Sequence, residues 1–163
     1  MNDSAKAKQE ELDKRYIRMA SIWAENSYCI RRQVGALIVK DQMIISDGYN
    51  GTPAGFENIC EDENNVTKPY VLHAEANAII SAARRDTVGG TLYLAGRDAR
   101  TGELLSDATS CAMCRRTIIN AGLERVVIRR TNEEFEVVPV QRWIDEDDSL
   151  DLLRGECGCG CDG

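Results

Sequence analysis

A single layered α/β domain is what the amino-acid sequence predicts, and three observations carry the prediction. The apolar residues switch along the chain between helical three-to-four spacing and short β-branched runs. From Thr91 to Arg129 the order is strand, helix, strand, which is the order of a parallel crossover unit. No internal repeat and no linker interrupts the 163 residues, a length that can bury a full core in one unit.

Taken in order, Leu12, Tyr16, Met19, Ala20 and Trp23 recur at helical spacing, so Gln9 to Trp23 reads as an amphipathic helix. Val34 to Val39 is rich in β-branched residues, and Lys40-Asp41-Gln42 separates it from Met43 to Tyr49. The two read as a hairpin. Asn50-Gly51-Thr52-Pro53-Ala54-Gly55 is turn chemistry, and the polar stretch on to about Lys68 reads as a surface loop of the kind that carries function. Helix formers fill His73 to Arg85, with Ala76, Ile79, Ile80 and Ala83 on one face and arginines in the last turn. Thr91 to Ala95 reads as a strand, Cys111 to Ala121 as a helix closed by Gly122, and Glu124 to Arg129 as a further strand. Phe135 to Val140 adds a fifth strand, and the acidic run Trp143 to Leu153 a last helix. Residues 1–154 are expected to form the domain. Residues 155–163, where Cys157, Cys159 and Cys161 alternate with glycine, have too little apolar surface to order and are expected to be a flexible tail.

Composition narrows the function. Hydrophobic residues at 43% and charged residues at 29% are the balance of a globular protein, which excludes disorder and fibrous repeats. With 20 Lys+Arg against 27 Asp+Glu the net charge is −7, which opposes a broad cationic surface and so a long nucleic acid as partner. No apolar run approaches the roughly 20 residues that span a bilayer, so no membrane partner is expected. The polar opening lacks the apolar stretch of a secretory signal, and the expected location is cytoplasmic. In that reducing setting the seven cysteines are expected to be ligands, catalytic groups or buried thiols rather than disulfide partners.

One constellation carries chemistry. The single histidine stands in His73-Ala74-Glu75, and Cys111-Ala112-Met113-Cys114 follows 38 positions later. One imidazole and two thiols at two helix starts are the donor set of a catalytic zinc site, which keeps its fourth position for water. A helix N-terminus favours the thiolate that binds metal. Glu75, two residues past His73, is placed to move a proton at the open position without occupying it. The plainer alternative is a structural site with four protein ligands, the fourth drawn from Cys29, Cys60 or the tail.

These residues resemble the zinc-dependent cytidine and deoxycytidylate deaminase family, whose signature is H-x-E followed by P-C-x-x-C. The likeness runs from about Arg32 to Val127. It is carried by Arg32-Gln33-Val34-Gly35-Ala36, by Gly48-Tyr49-Asn50-Gly51-Thr52-Pro53, by Lys68 through Ile79, and by Ser110-Cys111-Ala112-Met113-Cys114 continuing to Gly122. Within the family it is strongest toward deoxycytidylate deaminases. The resemblance implies a three-layer α/β/α cytidine-deaminase-like fold with a mixed central sheet of about five strands. One departure stands out: Ser110 takes the place of the usual proline, which frees φ and adds an N–H, so a less rigid loop is expected there.

The resemblance further implies hydrolytic deamination of dCMP to dUMP and ammonia, supplying thymidylate precursors. Glu75 would be the catalytic proton carrier, and His73, Cys111 and Cys114 the ligands of one catalytic Zn2+. Substrate contacts would come from the backbone N–H of Ala74, the Ser110 carbonyl, Asn50 and Gly51 of the turn, Val34, and Arg32 as local positive charge. A small-molecule nucleotide is the expected partner, with dCTP and dTTP as effectors and a homo-oligomer, hexamer or dimer, as the assembly. Some relatives hold a second, structural zinc near the positions of Cys29 and Cys60. The completing histidines are missing here, so buried or idle thiols are the first expectation and a second ion the lesser one. Tyr49, Tyr70 and Trp23 read as packing residues, and Phe135 as core unless the C-terminal segment folds over the pocket. Two rival functions remain: another deaminase of the family, acting on tRNA adenosine, a nucleoside or a base, or an inactive zinc-stabilised regulatory module.

Overall fold

The computed structural model describes residues 2–147. Helix α1 (Asp3–Trp23) leads through one 3-10 turn, Ala24–Asn26, into a hairpin of β1 (Arg32–Lys40) and β2 (Met43–Tyr49). A long connection reaches α2 (Ala74–Ile80) and the short α3 (Arg84–Thr87). Then follow β3 (Thr91–Asp98), α4 (Ala112–Asn120), β4 (Arg125–Arg129), β5 (Phe135–Pro139) and α5 (Val140–Asp145). The strands form one sheet in the order β2-β1-β3-β4-β5. β3 and β4 pair in parallel across α4, and the other three pairs are antiparallel. The mixed five-stranded sheet and the crossover expected from the sequence are both present.

Alternation along the strands builds a core on each face. Leu37, Val39, Tyr93, Ala95 and Val127 point to α1 and meet Ile17 and Ala20, with Phe135 packed against them. Ala36, Ile38, Leu92, Leu94, Val126 and Ile128 point the other way, toward Ala74 and Ala78 of α2, Ile118 of α4 and Trp143 of α5. The result is three layers. Phe135 therefore sits on the face away from α2 and α4, as core.

Two glycines allow the helices to press this close. A Cβ on Gly35 would collide with the backbone of Ala20 and Ala24, and one on Gly48 with the backbone of Ala74 and Ala78. The second approach matters most, because it seats the start of α2 on the hairpin.

Where boundaries differ, local chemistry explains it. α1 begins six residues earlier than Gln9, because the Asn2 side chain accepts from the Ala5 N–H (2.8 Å) and the Ala- and Lys-rich first turns need no apolar stripe. The helix expected over His73 to Arg85 is broken. Ala83 is extended, and α3 is held instead by the end of α4, through Thr87 Oγ1 to the Ala121 carbonyl (2.7 Å) and Arg84 Nε to the Asn120 carbonyl (2.9 Å). Tertiary contacts outweigh helix propensity there. The last helix begins at Val140, three residues ahead of Trp143, and ends at Asp145 with Glu146 as its C-cap; residues 148–153 of the expected helix and the tail cysteines lie outside the described residues.

The expectation for Cys29 and Cys60 is overturned. They are buried and joined as a disulfide, 31 positions apart in sequence. The loop after β2 folds back so that the buried Glu61 carboxylate accepts from the N–H groups of Ile30 (3.1 Å) and Arg31 (3.1 Å), which brings Cys60 beside Cys29. Bonded to each other, the two sulfurs offer no thiolate to a second ion. Cysteine count and an assumed compartment could not foresee that proximity. Among the described residues no helix is long and apolar enough to cross a membrane.

Candidate metal centre and active-site cavity

The connection after β2 is closed by a pair of backbone hydrogen bonds between Gly51 and Leu72, at 3.1 and 2.8 Å. Asn77 of α2 adds a bond from Nδ2 to the Tyr49 carbonyl (2.8 Å). Together they fix His73, the residue after Leu72, at the N-cap of α2. Cys111 is the N-cap of α4, and Cys114 lies in its first turn. Neither residue makes the ordinary side-chain capping bond of a helix start. The side chains turn instead toward each other.

His73 Nδ1 is 3.5 Å from Cys111 Sγ and 3.3 Å from Cys114 Sγ. All three donor atoms lie within 4.8 Å of one another. A tetrahedral zinc with its usual Zn–N and Zn–S bonds separates nitrogen from sulfur by about 3.6 Å. The donor set and its spacing therefore fit that ion. Among the described residues this cluster holds three such ligands and no fourth.

Electrostatics agree with a thiolate-rich centre. Hydrogen bonding from Cys114, then from His73, brings the Cys111 thiol down to about 3. The bond to Cys111 pushes His73 up, against the opposing effect of burial. Glu75 is 4% exposed, and burial pushes its carboxyl above the usual range while its own N–H and the Ser110 hydroxyl pull the other way.

Glu75, His73 and Cys111 open on one cavity of about 210 Å³, also walled by Arg32, Val34, Asn50 and Ala74. An apolar cavity of roughly 150 Å³ takes a benzene ring, so the size suits a six-membered heteroaromatic ring with part of a substituent. Asn50 reaches it with a side chain already engaged: Oδ1 accepts from the Val34 N–H (2.8 Å), and Nδ2 donates to the Arg32 carbonyl (2.8 Å). One N–H and one lone pair remain. Arg32 pairs with Asp107 at 3.1 Å at the rim.

Two of the residues expected at the substrate do not line this cavity. Gly51 packs against the Tyr28 hydroxyl, and its part is to hold the Leu72 bridge. Ser110 is 1% exposed; its carbonyl accepts from Arg115 Nε (3.0 Å). Side-chain hydrogen bonds hold the loop ahead of it. Arg130 donates to the carbonyls of Ser106 (2.8 Å) and Ala108 (3.1 Å), and Arg115, stacked over Trp143 at 5.1 Å, holds the end. Sequence reasoning missed the walls supplied by Leu94, Leu105, Ala108 and Thr109, and by Thr67 and Val71. Leu94 lies within β3 itself; the only signal for the others is position, Leu105, Ala108 and Thr109 in the loop after β3, Thr67 and Val71 in the turn ahead of His73. Tyr70 meets Phe56 edge-on at 5.1 Å, and Trp23 Nε1 donates to Asp47 at 2.9 Å, packing roles in both cases.

Comparison with known proteins gives a consistent result. The family model described as cytidine and deoxycytidylate deaminase zinc-binding region matches residues 10–130. Deoxycytidylate deaminase of Mycobacterium phage D29 is 31% identical over 129 residues, which is 71% of this chain and 91% of that protein. The Saccharomyces cerevisiae enzyme of the same name is 32% identical over 77% of this chain, which spans only 41% of that longer relative. Among solved structures, dCMP deaminase from the cyanophage S-TIM5, in complex with dCMP and dUMP, superposes with a TM-score of 0.59 at 32% identity, covering 79% of this chain and 83% of that one.

Proposed function

The chain belongs to the cytidine and deoxycytidylate deaminase family, and from that premise we propose that it hydrolyses dCMP to dUMP and ammonia. The observation that carries the reading is a buried carboxylate beside a His-Cys-Cys cluster, with Glu75, His73 and Cys111 lining one ring-sized cavity. His73, Cys111 and Cys114 hold a single Zn2+. When bound, the ion supplies the Lewis acidity that lets a water lose its proton near neutral pH.

The rest falls to the chain's own residues. Glu75 takes a proton from the attacking water and gives it to ring N3, then takes the proton of the hydroxyl so added at C4 and passes it to the departing amine. Burial suits it to that work, because it moves the carboxyl upward, closer to a pH at which one group can both take and give a proton. The Ala74 N–H, at the first residue of α2 and so without an intrahelical acceptor, meets the pyrimidine carbonyl. Asn50 turns its spare N–H to the sugar, and Arg32 at the rim faces the phosphate. The proposal extends to a cytoplasmic homo-oligomer, hexamer or dimer, answering to dCTP and dTTP, on the strength of the resemblance.

Ammonia release tests it. Purified protein is given dCMP, cytidine and a tRNA anticodon stem in parallel; release from dCMP alone is expected. Turnover of cytidine alone would overturn the choice of substrate. The net charge of −7 supports the small nucleotide over tRNA.

A further inference from the structure

Glu75 is almost fully enclosed, and apart from its own backbone the hydrogen bond found to its carboxylate comes from Ser110, whose hydroxyl donates to Oε1 at 2.8 Å. Ser110 is itself 1% exposed, so water does not compete for that bond. Its backbone is fixed from two sides. Arg115, stacked on Trp143, donates to its carbonyl, and Arg130 clamps the carbonyls of Ser106 and Ala108 just ahead of it. A hydroxyl so anchored is a fixed point rather than a mobile rotor. The alternative residue at this place, proline, has no hydroxyl to offer.

We infer that Ser110 is the positioning residue for Glu75: its hydroxyl engages Oε1, locks the carboxylate rotamer, and leaves Oε2 as the oxygen turned to the reacting atoms. The inference rests on Glu75 as proton carrier. It places the Ser110 contribution in the side chain instead of in a main-chain contact to substrate. A proton donor misaligned by an ångström costs rate while ring, sugar and phosphate contacts stay intact. The bond therefore governs kcat and leaves KM alone.

The test compares Ser110→Ala with Ser110→Pro. Both remove the hydroxyl, while proline stiffens the backbone; the Ser110 N–H makes no backbone hydrogen bond among the described residues, so proline removes none. Both variants are expected to lose about tenfold in kcat, the scale of one charge-assisted hydrogen bond, with KM and zinc content unchanged. In crystals of the zinc-loaded Ser110→Ala protein, Glu75 is expected to spread over more than one rotamer. Wild-type kcat in either variant, a loss confined to KM, or a single unchanged Glu75 rotamer would overturn the assignment. Glu75→Gln, run alongside, separates the two levels. If it retains turnover, the proton-carrier reading itself falls. If it is inactive while both Ser110 variants match wild type, only the positioning role is lost.

Discussion

Two carboxylates are buried on opposite faces of the sheet, Asp13 at 2% exposure and Glu75 at 4%, and they are held in opposite ways. Asp13 is saturated. Arg125 donates to both of its oxygens at 3.1 and 2.7 Å, the Tyr93 hydroxyl donates at 2.6 Å, and Gln9 adds a bond at 3.0 Å. Burial, then the Asp13 carboxylate, push the Tyr93 hydroxyl upward, so it stays a donor. Glu75 has one side-chain partner and faces a cavity. A buried carboxylate whose two oxygens both accept from a cation, with a phenol and an amide added, is a fastener between α1 and β4; one left partly unanswered beside a cavity is available for chemistry.

The largest expected effect falls on the open carboxylate. Glu75→Gln keeps shape and zinc ligands but cannot carry the proton, and turnover should fall by up to about 10⁴-fold with the melting temperature little changed. Steady-state kinetics alongside thermal melts check this, and an active, normally melting variant would break the contrast. Asp13→Ala should do the reverse. Stranding Arg125 without its partner should cost about 3–5 kcal/mol of stability in urea titration, while each folded molecule turns over normally. Loss of turnover in protein that is still folded would show that the two carboxylates are not separate in role. The smallest effect should follow Cys29→Ser, which opens a 31-position crosslink and should remove about 2–4 kcal/mol, read in urea with and without reductant. Equal stability of variant and wild type under non-reducing conditions would remove the crosslink from the list of fasteners.

Much of this was legible in the sequence, for identifiable reasons. Five strands and the α4 crossover follow from β-branched runs and turn residues, because backbone preference and burial agree there. His73, Cys111 and Cys114 could be grouped because helix starts concentrate ligands. What escaped was whatever depends on a partner distant in sequence. The break after Ile80 is imposed by the end of α4, the Cys29–Cys60 bond by a loop folding back on Glu61, and the Asp13–Arg125 pair joins residues 112 positions apart. In the sequence Ser110 stands out for a missing ring and a carbonyl; its hydroxyl acquires meaning only beside Glu75.

The separation of the ligands has a thermodynamic corollary. His73 and Cys111 stand 38 positions apart on helices whose placement depends on β3 pairing with both β1 and β4. An ion that binds the three donors only once they are gathered would favour the folded chain over the unfolded one by mass action, so raising free zinc should deepen the native well.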